Sequence, residues 1–507
     1  MKIIIVGATG AGMAAAARLR RLNEGAFIVV ADHRASVAGL RRLRDVYKID
    51  VRLNTRIVWP VELTDDSLDG GGQGLLTLED TRQGNVYEES YDKLILAHEL
   101  AGDVGPPAAG GRNIFCLSEQ GLDKIDAYVG AAGPKTAIIT GAGIGAVHVA
   151  ARLLRWGIDV TMICAGDVFP AQLDHDAACH ISVFLQKNGL KIVKEAIPRA
   201  MTEVEGRVNY VCGDSLYTAD IGVNCAAANA LEVPAHMPYP GNTPGAREIH
   251  LDTICRDIIS GERANNPALA SRRGRAVADA VCGKPAPCLE FGESICLNEA
   301  DILGKHLSYF GMTEKELNEK RLGYIYSIMP IPGGFLKLLY SADGTILGFV
   351  ALGQDAFHFG NMAAVMVQMR RGVQDLAGLE MSPVARDLQT LGKIAQNVLE
   401  GCLQMAYWDE IRDLEQGQGV VVDVRSAGMY GLGHIPGAVN IPLSGLRENF
   451  ESIDISKEVI LVCEDGKDSY LAARMLEGVV PRLKCLTGGM SYYRNIAVYM
   501  NGEKYCG

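Results

Sequence analysis

One cysteine stands where sulfur chemistry is possible. Cys463 follows the apolar run Glu458–Val462 and opens the segment Cys463-Glu-Asp-Gly-Lys-Asp-Ser469, ahead of a helical stretch at 470–476. Backbone amides gathered around a sulfur at a helix N-terminus favour a thiolate and hold an added sulfur atom. A strand-end cysteine can equally be a small buried hydrophobe. Its company separates the two readings: Asp423-Val-Arg425, then Gly433-His-Ile-Pro-Gly-Ala438, then Leu486-Thr-Gly-Gly489. Two glycine turns carry a different chemistry. Gly7-Ala-Thr-Gly10-Ala-Gly12 and Gly141-Ala-Gly143-Ile-Gly-Ala146 each follow an apolar run and precede a helical one. Such a turn lets a pyrophosphate approach free N–H groups at a helix N-terminus.

The elements that must position these residues follow from the apolar pattern. Lys2–Val6, the first turn, a helix over 13–22 and a strand over 27–31 ending at Asp32 make a βαβ half of a dinucleotide fold. Asp32 suits a ribose hydroxyl, although Thr9 breaks the G-x-G-x-x-G spacing. The second copy runs from Thr136–Thr140 through its turn to Trp156 and re-enters a strand at 158–164. That strand ends at Cys164-Ala-Gly-Asp167 without an acid at its tip, so a nucleotide site and a purely structural unit both fit. Between the copies, 75–78 and 86–91 read as a hairpin, 91–97 as a buried strand and 102–112 as a crossover linker. Residues 267–281 read as a helix closed by Gly283-Lys-Pro-Ala-Pro. Strands at 335–340 and 346–352 and helices at 361–371 and 391–400 come next, then a small α/β unit.

Composition narrows the function classes. At about 150 residues per domain, 507 residues suggest three or four domains. Lys and Arg number 49 against 60 Asp and Glu, a net charge of −11 without a basic block, which excludes a nucleic-acid partner. No apolar run spans a membrane, and thirteen scattered cysteines read as thiols of a cytoplasmic protein. No residue cluster marks a metal site.

Residues 408–496 resemble a rhodanese (sulfurtransferase) domain, and the family's persulfide-carrying cysteine falls on Cys463. The rest resembles pyridine nucleotide-disulfide oxidoreductases, most of all coenzyme A-disulfide reductases fused to rhodanese. The likeness is carried by Val6-Gly7…Gly12-Met-Ala-Ala-Ala-Ala-Arg18-Leu-Arg20-Arg21-Leu22, Tyr91-Asp-Lys-Leu-Ile-Leu, Asn265-Asn-Pro-Ala-Leu-Ala-Ser-Arg-Arg-Gly274-Arg275 and Phe310-Gly-Met-Thr-Glu-Lys-Glu-Leu317. The fold class this implies is α/β, with two Rossmann-like nucleotide-binding domains, an α+β dimerisation domain and a C-terminal rhodanese α/β domain. The expected boundaries are 1–107 plus 229–300 for FAD, 108–228 for NAD(P), 301–400 for dimerisation and 408–507 for rhodanese. The resemblance further implies FAD at Gly7, Gly10, Gly12 and Asp32, and NADH or NADPH at Gly141, Gly143 and Ala146. It also implies a small thiol, disulfide or persulfide substrate of coenzyme A type touching Arg18 and Arg21, and a homodimer.

The departures from that family are as informative. Its redox cysteine sits in a Ser-Phe-x-Asn-Cys-Gly-Leu-Pro-Tyr segment after the ribose acid. Here the chain passes from Asp32 through His33-Arg-Ala-Ser-Val-Ala-Gly-Leu40 into a basic helix at 41–47, and no cysteine precedes Cys116. The flavin-contacting Gly-Asp falls near Thr253-Ile254, the nicotinamide-side Glu on His148, and the Tyr-Ala-Pro-Pro of the dimerisation domain on Met381-Ser-Pro-Val-Ala. The Cys463 loop sets Glu464, Asp465 and Asp468 against Lys467 alone, a charge balance that repels thiosulfate. Two other readings stay open: a sulfurtransferase on a redox-inactive, nucleotide-binding or dimerising scaffold, and a binding protein without catalysis whose acidic Cys463 loop holds a sulfur carrier or is inert.

Overall fold

The computed structural model describes residues 1–34, 37, 39–58, 74–97, 112–116, 119–170, 172–194, 201–212, 215–225, 248–250, 254–257, 259, 263–265, 269–285, 293–380, 386–414 and 419–501. Thr253, Met381-Ser-Pro-Val-Ala and the linker 102–111 lie outside them. The chain divides into two compact units, Met1–Gly102 with Leu231–Cys296, and Asp103–Ala230 with Leu297–Gly507.

The first unit is built on the run Ile3-Ile-Ile5, whose side chains are all fully buried. A strand apolar on both faces belongs in a parallel sheet covered on both sides. The sheet order is Glu248–His250, Lys93–Leu96, Lys2–Val6, Phe27–Asp32 and Asp50–Leu53, all parallel. The helix Gly10–Leu22 presents Ala11, Ala15 and Ala16 to the core. These small residues admit the helix Ala270–Val281 so closely that a Cβ on Gly274 would lie 2.2 Å from the Ala11 carbonyl oxygen. The expected basic helix at 41–47 is a five-residue π-helical turn, Arg42–Val46. A three-stranded antiparallel sheet, Thr55–Ile57, Gly74–Asp80 and Asn85–Tyr91, contains the predicted hairpin.

The second unit repeats the parallel plan. Its first sheet runs Lys191–Val193, Asp159–Ile163, Thr136–Thr140, Ile221–Asn224 and Ile114–Cys116. An antiparallel sheet follows, ordered Asn298–Ile302, Lys305–Gly311, Ile346–Gly353, Gly334–Tyr340 and Ile325–Ile331. The helices Ala356–Gln368 and Arg386–Leu399 accompany it. The last sheet is parallel again: Met405–Ala406, Leu483–Leu486, Glu458–Val462, Gly419–Asp423 and Val439–Asn440. Val459 and Leu461 face one core and Ile460 and Val462 another, so helices are needed on both sides. These sheets realise the expected α/β class. No helix among the described residues is long and apolar enough to cross a membrane.

Candidate functional site

Cys463 ends the strand Glu458–Val462 and is only 1% exposed. The chain turns through Gly466, whose φ of 94° is left-handed, into the helix Lys467–Leu476. The Gly466 N–H lies 3.1 Å from Sγ, and Ser469 Oγ lies 3.4 Å from it. A ring of amides is expected here; one amide and one hydroxyl are what reach the sulfur in these contacts. The Met490 and Ser491 N–H groups bond instead to the carbonyls of Cys463 and Glu464, both at 2.9 Å. That explains the glycine pair at 488–489. A Cβ on Gly489 would sit 2.7 Å from both carbonyl oxygens, so glycine lets the helix Gly489–Asn501 begin against the loop. The second thiol of this domain, Cys485, is 3% exposed and faces the Ser469 carbonyl at 3.3 Å. Burial pushes that thiol up to about 12, which removes it as a rival nucleophile.

The other motifs join this loop through one buried ion pair. Arg425 meets Asp423 at 2.7 Å, and the two are 4% and 1% exposed. The same guanidinium donates to the Gly433 carbonyl at 2.8 Å and to Glu464 at 2.9 Å. Glu464 also lies 3.6 Å from Arg494, and Asp465 is held by Lys467 at 2.8 Å. The sequence-based charge balance therefore needs correction. Arg425 comes from a distant strand end and compensates the acid that seemed unopposed. Asp468 remains exposed in the first helical turn.

The first glycine turn packs its helix directly against the strand end. A Cβ on Gly12 would fall 2.1 Å from the Gly7 carbonyl oxygen and 3.1 Å from the Ala97 Cβ, so glycine is what lets the helix start this close to the strand end. Gly10 opens the helix, and Thr9 caps it: its hydroxyl accepts from Gly12 N at 3.2 Å and donates to the Ala97 carbonyl at 2.8 Å. Thr9, the residue that spoils the spacing, thus supplies the cap. Asp32 is 3% exposed and its oxygens are occupied. They accept from Ala8 N at 2.6 Å, from Arg34 N and Nε at 2.9 Å and from its terminal nitrogen at 3.0 Å. Burial opposes ionisation, but the Arg34 contacts win and hold Asp32 below the usual carboxylate range. The turn fits an FAD pyrophosphate, whereas a ribose hydroxyl at Asp32 requires Arg34 to move.

The second turn has Gly143 at the helix N-cap without a side-chain cap, and Ala146 buried in the helix Ile144–Arg155. His148 lies on that helix's exposed side. Beyond the strand end, Asp167 is already engaged by His175 at 2.5 Å and by the Tyr499 hydroxyl at 2.7 Å. The His175 contact, stronger than the cost of burial, brings Asp167 down to about 2. Of the arginines expected at a substrate, Arg18 forms an ion pair with Asp279 at 2.8 Å. Arg21 donates to its own helix at Ala17 O, and Arg20 ties the helix end to the carbonyls of Tyr47, Glu24 and Ala26. Among the described residues one carboxylate trio could hold a metal, Asp174 with Asp176 and Glu314. The fully buried Lys337 ammonium fills it at 2.9, 2.8 and 2.5 Å.

Two Rossmann-like parallel sheets with glycine turns, an antiparallel sheet and a cysteine-loop α/β domain make up the described architecture. Residues 1–223 match the pyridine nucleotide-disulphide oxidoreductase family and residues 408–496 match the rhodanese-like domain. The chain thus carries a region of the pyridine nucleotide-disulphide oxidoreductase family followed, nearer its C-terminus, by a rhodanese-like domain. Among solved structures, reduced CoADR-RHD of Bacillus anthracis is 23% identical, with 98% of each chain covered and a TM-score of 0.85. The NAD-dependent persulfide reductase of A. fulgidus is 21% identical, covering 97% of this chain and 100% of its own, with a TM-score of 0.83. A curated relative, the NADH oxidase of Methanocaldococcus jannaschii, is 22% identical over 79% of this chain and 99% of its own length. The structural likeness at these identities is one of fold.

Proposed function

We propose that the chain is a cytoplasmic, homodimeric, FAD- and NAD(P)H-dependent reductase of small persulfides or disulfides of coenzyme A type, with Cys463 carrying sulfane sulfur. The observation that carries this reading is the Cys463 loop: a strand-end thiol 3.1 Å from an amide that opens a helix, beside a buried Asp423–Arg425 pair. FAD, when bound, would pass an electron pair from a nicotinamide to sulfur. The residues proposed to hold it are Gly7, Gly10, Gly12 and Asp32; those proposed for NADH or NADPH are Gly141, Gly143 and Ala146. Gly12 lets the helix N-terminus close on the strand end that would face a pyrophosphate, and Arg34 must swing from Asp32 to admit a ribose. Arg18 and Arg21 are proposed substrate contacts, Arg18 exchanging its Asp279 pair for an anion. At Cys463, the thiolate attacks the outer sulfur of a donor persulfide, R–S–S–H. A new S–S bond forms at Cys463, the donor's own S–S bond breaks, and R–S⁻ leaves while the proton stays on the transferred sulfur. The Gly466 N–H donates to the sulfur, while the Ser469 hydroxyl, which donates to the Gly466 carbonyl at 3.0 Å, accepts from the thiol before it ionises. Val365 and Met369, exposed at 51% and 61% around the end of helix Ala356–Gln368, support a dimer contact.

A second reading is favoured by the absence of cysteine before Cys116 and by the occupied Asp32. In it, the nucleotide domains are a redox-inactive scaffold and sulfur transfer at Cys463 is the whole activity. Purified protein decides between them. Yellow protein that oxidises NADH or NADPH when given a persulfide supports the first reading; colourless protein that still loads sulfur on Cys463 supports the second. Light scattering giving a monomer mass would remove the homodimer.

A further inference from the structure

The carboxylates that hold Lys337 also line a cavity of about 700 Å³, the size of a small-molecule site. Tyr324, Tyr326, Tyr407 and Trp408 supply aromatic wall to the same cavity. The Tyr326 and Tyr407 rings lie 4.2 Å apart, and the Tyr326 ring also stands 4.4 Å from the Lys337 ammonium. The protein has thus already enclosed one aliphatic ammonium here, between carboxylates and a π face, surroundings that favour a cation over a neutral group. Two further groups in the wall are left unmatched. Tyr326 is only 4% exposed, yet among the described residues nothing hydrogen-bonds its hydroxyl, and a buried hydroxyl is costly to leave so. Burial, followed by Asp176, Glu314 and Asp409, raises that phenol well above its usual range, which keeps it protonated and sets it beside those acids. The second group is Asp409. The other lining carboxylates are answered from within: Asp174, Asp176 and Glu314 by Lys337, Asp167 by His175, and Glu319 by Lys315 at 4.0 Å. Asp409 has no cationic partner among the described residues and accepts from the Glu410 amide at 3.2 Å.

We propose that this cavity binds an aliphatic amine, its ammonium donating to Asp409 and to the Tyr326 hydroxyl and its carbon chain lying along the Tyr407 and Trp408 rings. A metal cation would answer Asp409 and leave the aromatic wall uncovered. A neutral chain would cover the wall and leave Asp409 unanswered. An amine does both. Neither Cys463 nor a nucleotide takes part, so this site stands or falls apart from sulfur transfer.

Calorimetry of the full-length protein at physiological ionic strength tests this with 1,4-diaminobutane, with 1,4-butanediol, which has the chain without the charge, and with magnesium chloride, which has the charge without the chain. The diamine should bind saturably at a single site, and the diol and magnesium should not at the same concentrations. Asp409→Asn, at an exposed position, should weaken the diamine about tenfold. Tyr326→Phe, which keeps the ring and removes the hydroxyl, should weaken it about threefold. Asp454→Asn removes a carboxylate that does not line the cavity and should change nothing, which separates this site from the general pull of an acidic protein on cations. Absence of saturable diamine binding overturns the site, as does equal binding of magnesium or of the diol. An equal loss in Asp454→Asn, or an unaltered affinity in both Asp409→Asn and Tyr326→Phe, overturns it as well.

Discussion

Asp32-His-Arg34 and Asp423-Val-Arg425 are the same device used in two domains. Each sits at the end of a parallel strand, and each arginine returns its amide and guanidinium to the aspartate two residues back. The amide distances are 2.9 and 3.0 Å, and the Nε distances are 2.9 and 3.0 Å. What lies beyond the clasp differs. Arg425 continues to Gly433 and to Glu464 beside Cys463, so its clasp assembles the loop that holds sulfur. Arg34 covers the acid expected to take a ribose, beside a turn whose Gly12 amide already has a partner in Thr9. A clasp that serves one site as a foundation stands in the other as a gate. Local pattern alone does not distinguish the two; the groups the arginine reaches next do.

The largest effect bears on the loop that the second clasp builds. Cys463→Ser should lower sulfane loading by about a thousandfold or more, since a hydroxyl is a poor nucleophile at neutral pH, while any flavin content stays constant. Persulfide mapping by mass spectrometry checks this, and sulfur appearing on Cys485 instead would break the assignment. Next come the clasps themselves. Arg425→Met leaves Asp423 buried without a counter-charge, with only the residue-425 amide on its carboxylate, and should cost about 3–5 kcal/mol in chemical denaturation. Arg34→Met should cost about 1–2 kcal/mol, because Ala8 N and the residue-34 amide still serve Asp32. Equal losses would erase the contrast. Arg34→Met should also leave flavin content unchanged or raised, whereas Gly12→Val, which drives a branched side chain against the Gly7 carbonyl, should abolish it. The smallest effect is Asp465→Asn/Asp468→Asn, expected to improve thiosulfate as a donor by about three- to tenfold at low salt and less at high salt.

Much of this was legible because it is written in local runs. Ile3-Ile-Ile5 announces a doubly covered strand, the Gly7 and Gly141 turns announce their helices, and Cys463 stands visibly between strand and helix. The helix at 361–371 begins five residues earlier, at Ala356, because its first turn is apolar and continuous with the preceding strand's core. What stayed hidden depends on contacts across long separations. Nothing near residue 464 says that Arg425 will neutralise it. Nor does anything near Lys337 foretell carboxylates from residues 174, 176 and 314. The occupation of Asp32 was two residues away, yet it depends on the rotamer of Arg34, which spacing does not encode. Thr9 looked like a flaw in a fingerprint until its hydroxyl was seen to cap the helix.

The three carboxylates around Lys337 carry two more negative charges than its one ammonium balances, and the cluster reduces that excess with a proton. Burial, only partly offset by Lys337 and reinforced by Asp176 and Asp174, pushes Glu314 from its ordinary 4.5 up to about 7. A carboxyl whose affinity for protons is higher in the folded state contributes stability that is fully present below about pH 4.5 and is lost as pH rises through 7. Folding near pH 6 therefore draws a proton from the solution, and the buffer must release it. The heat of unfolding measured at that pH should then differ between buffers of small and large ionisation enthalpy, in proportion to the fraction of a proton exchanged. In Glu314→Gln, which keeps the shape and removes this titration, the difference between the two buffers should change by the share of the proton that Glu314 exchanged, leaving the part carried by the histidines.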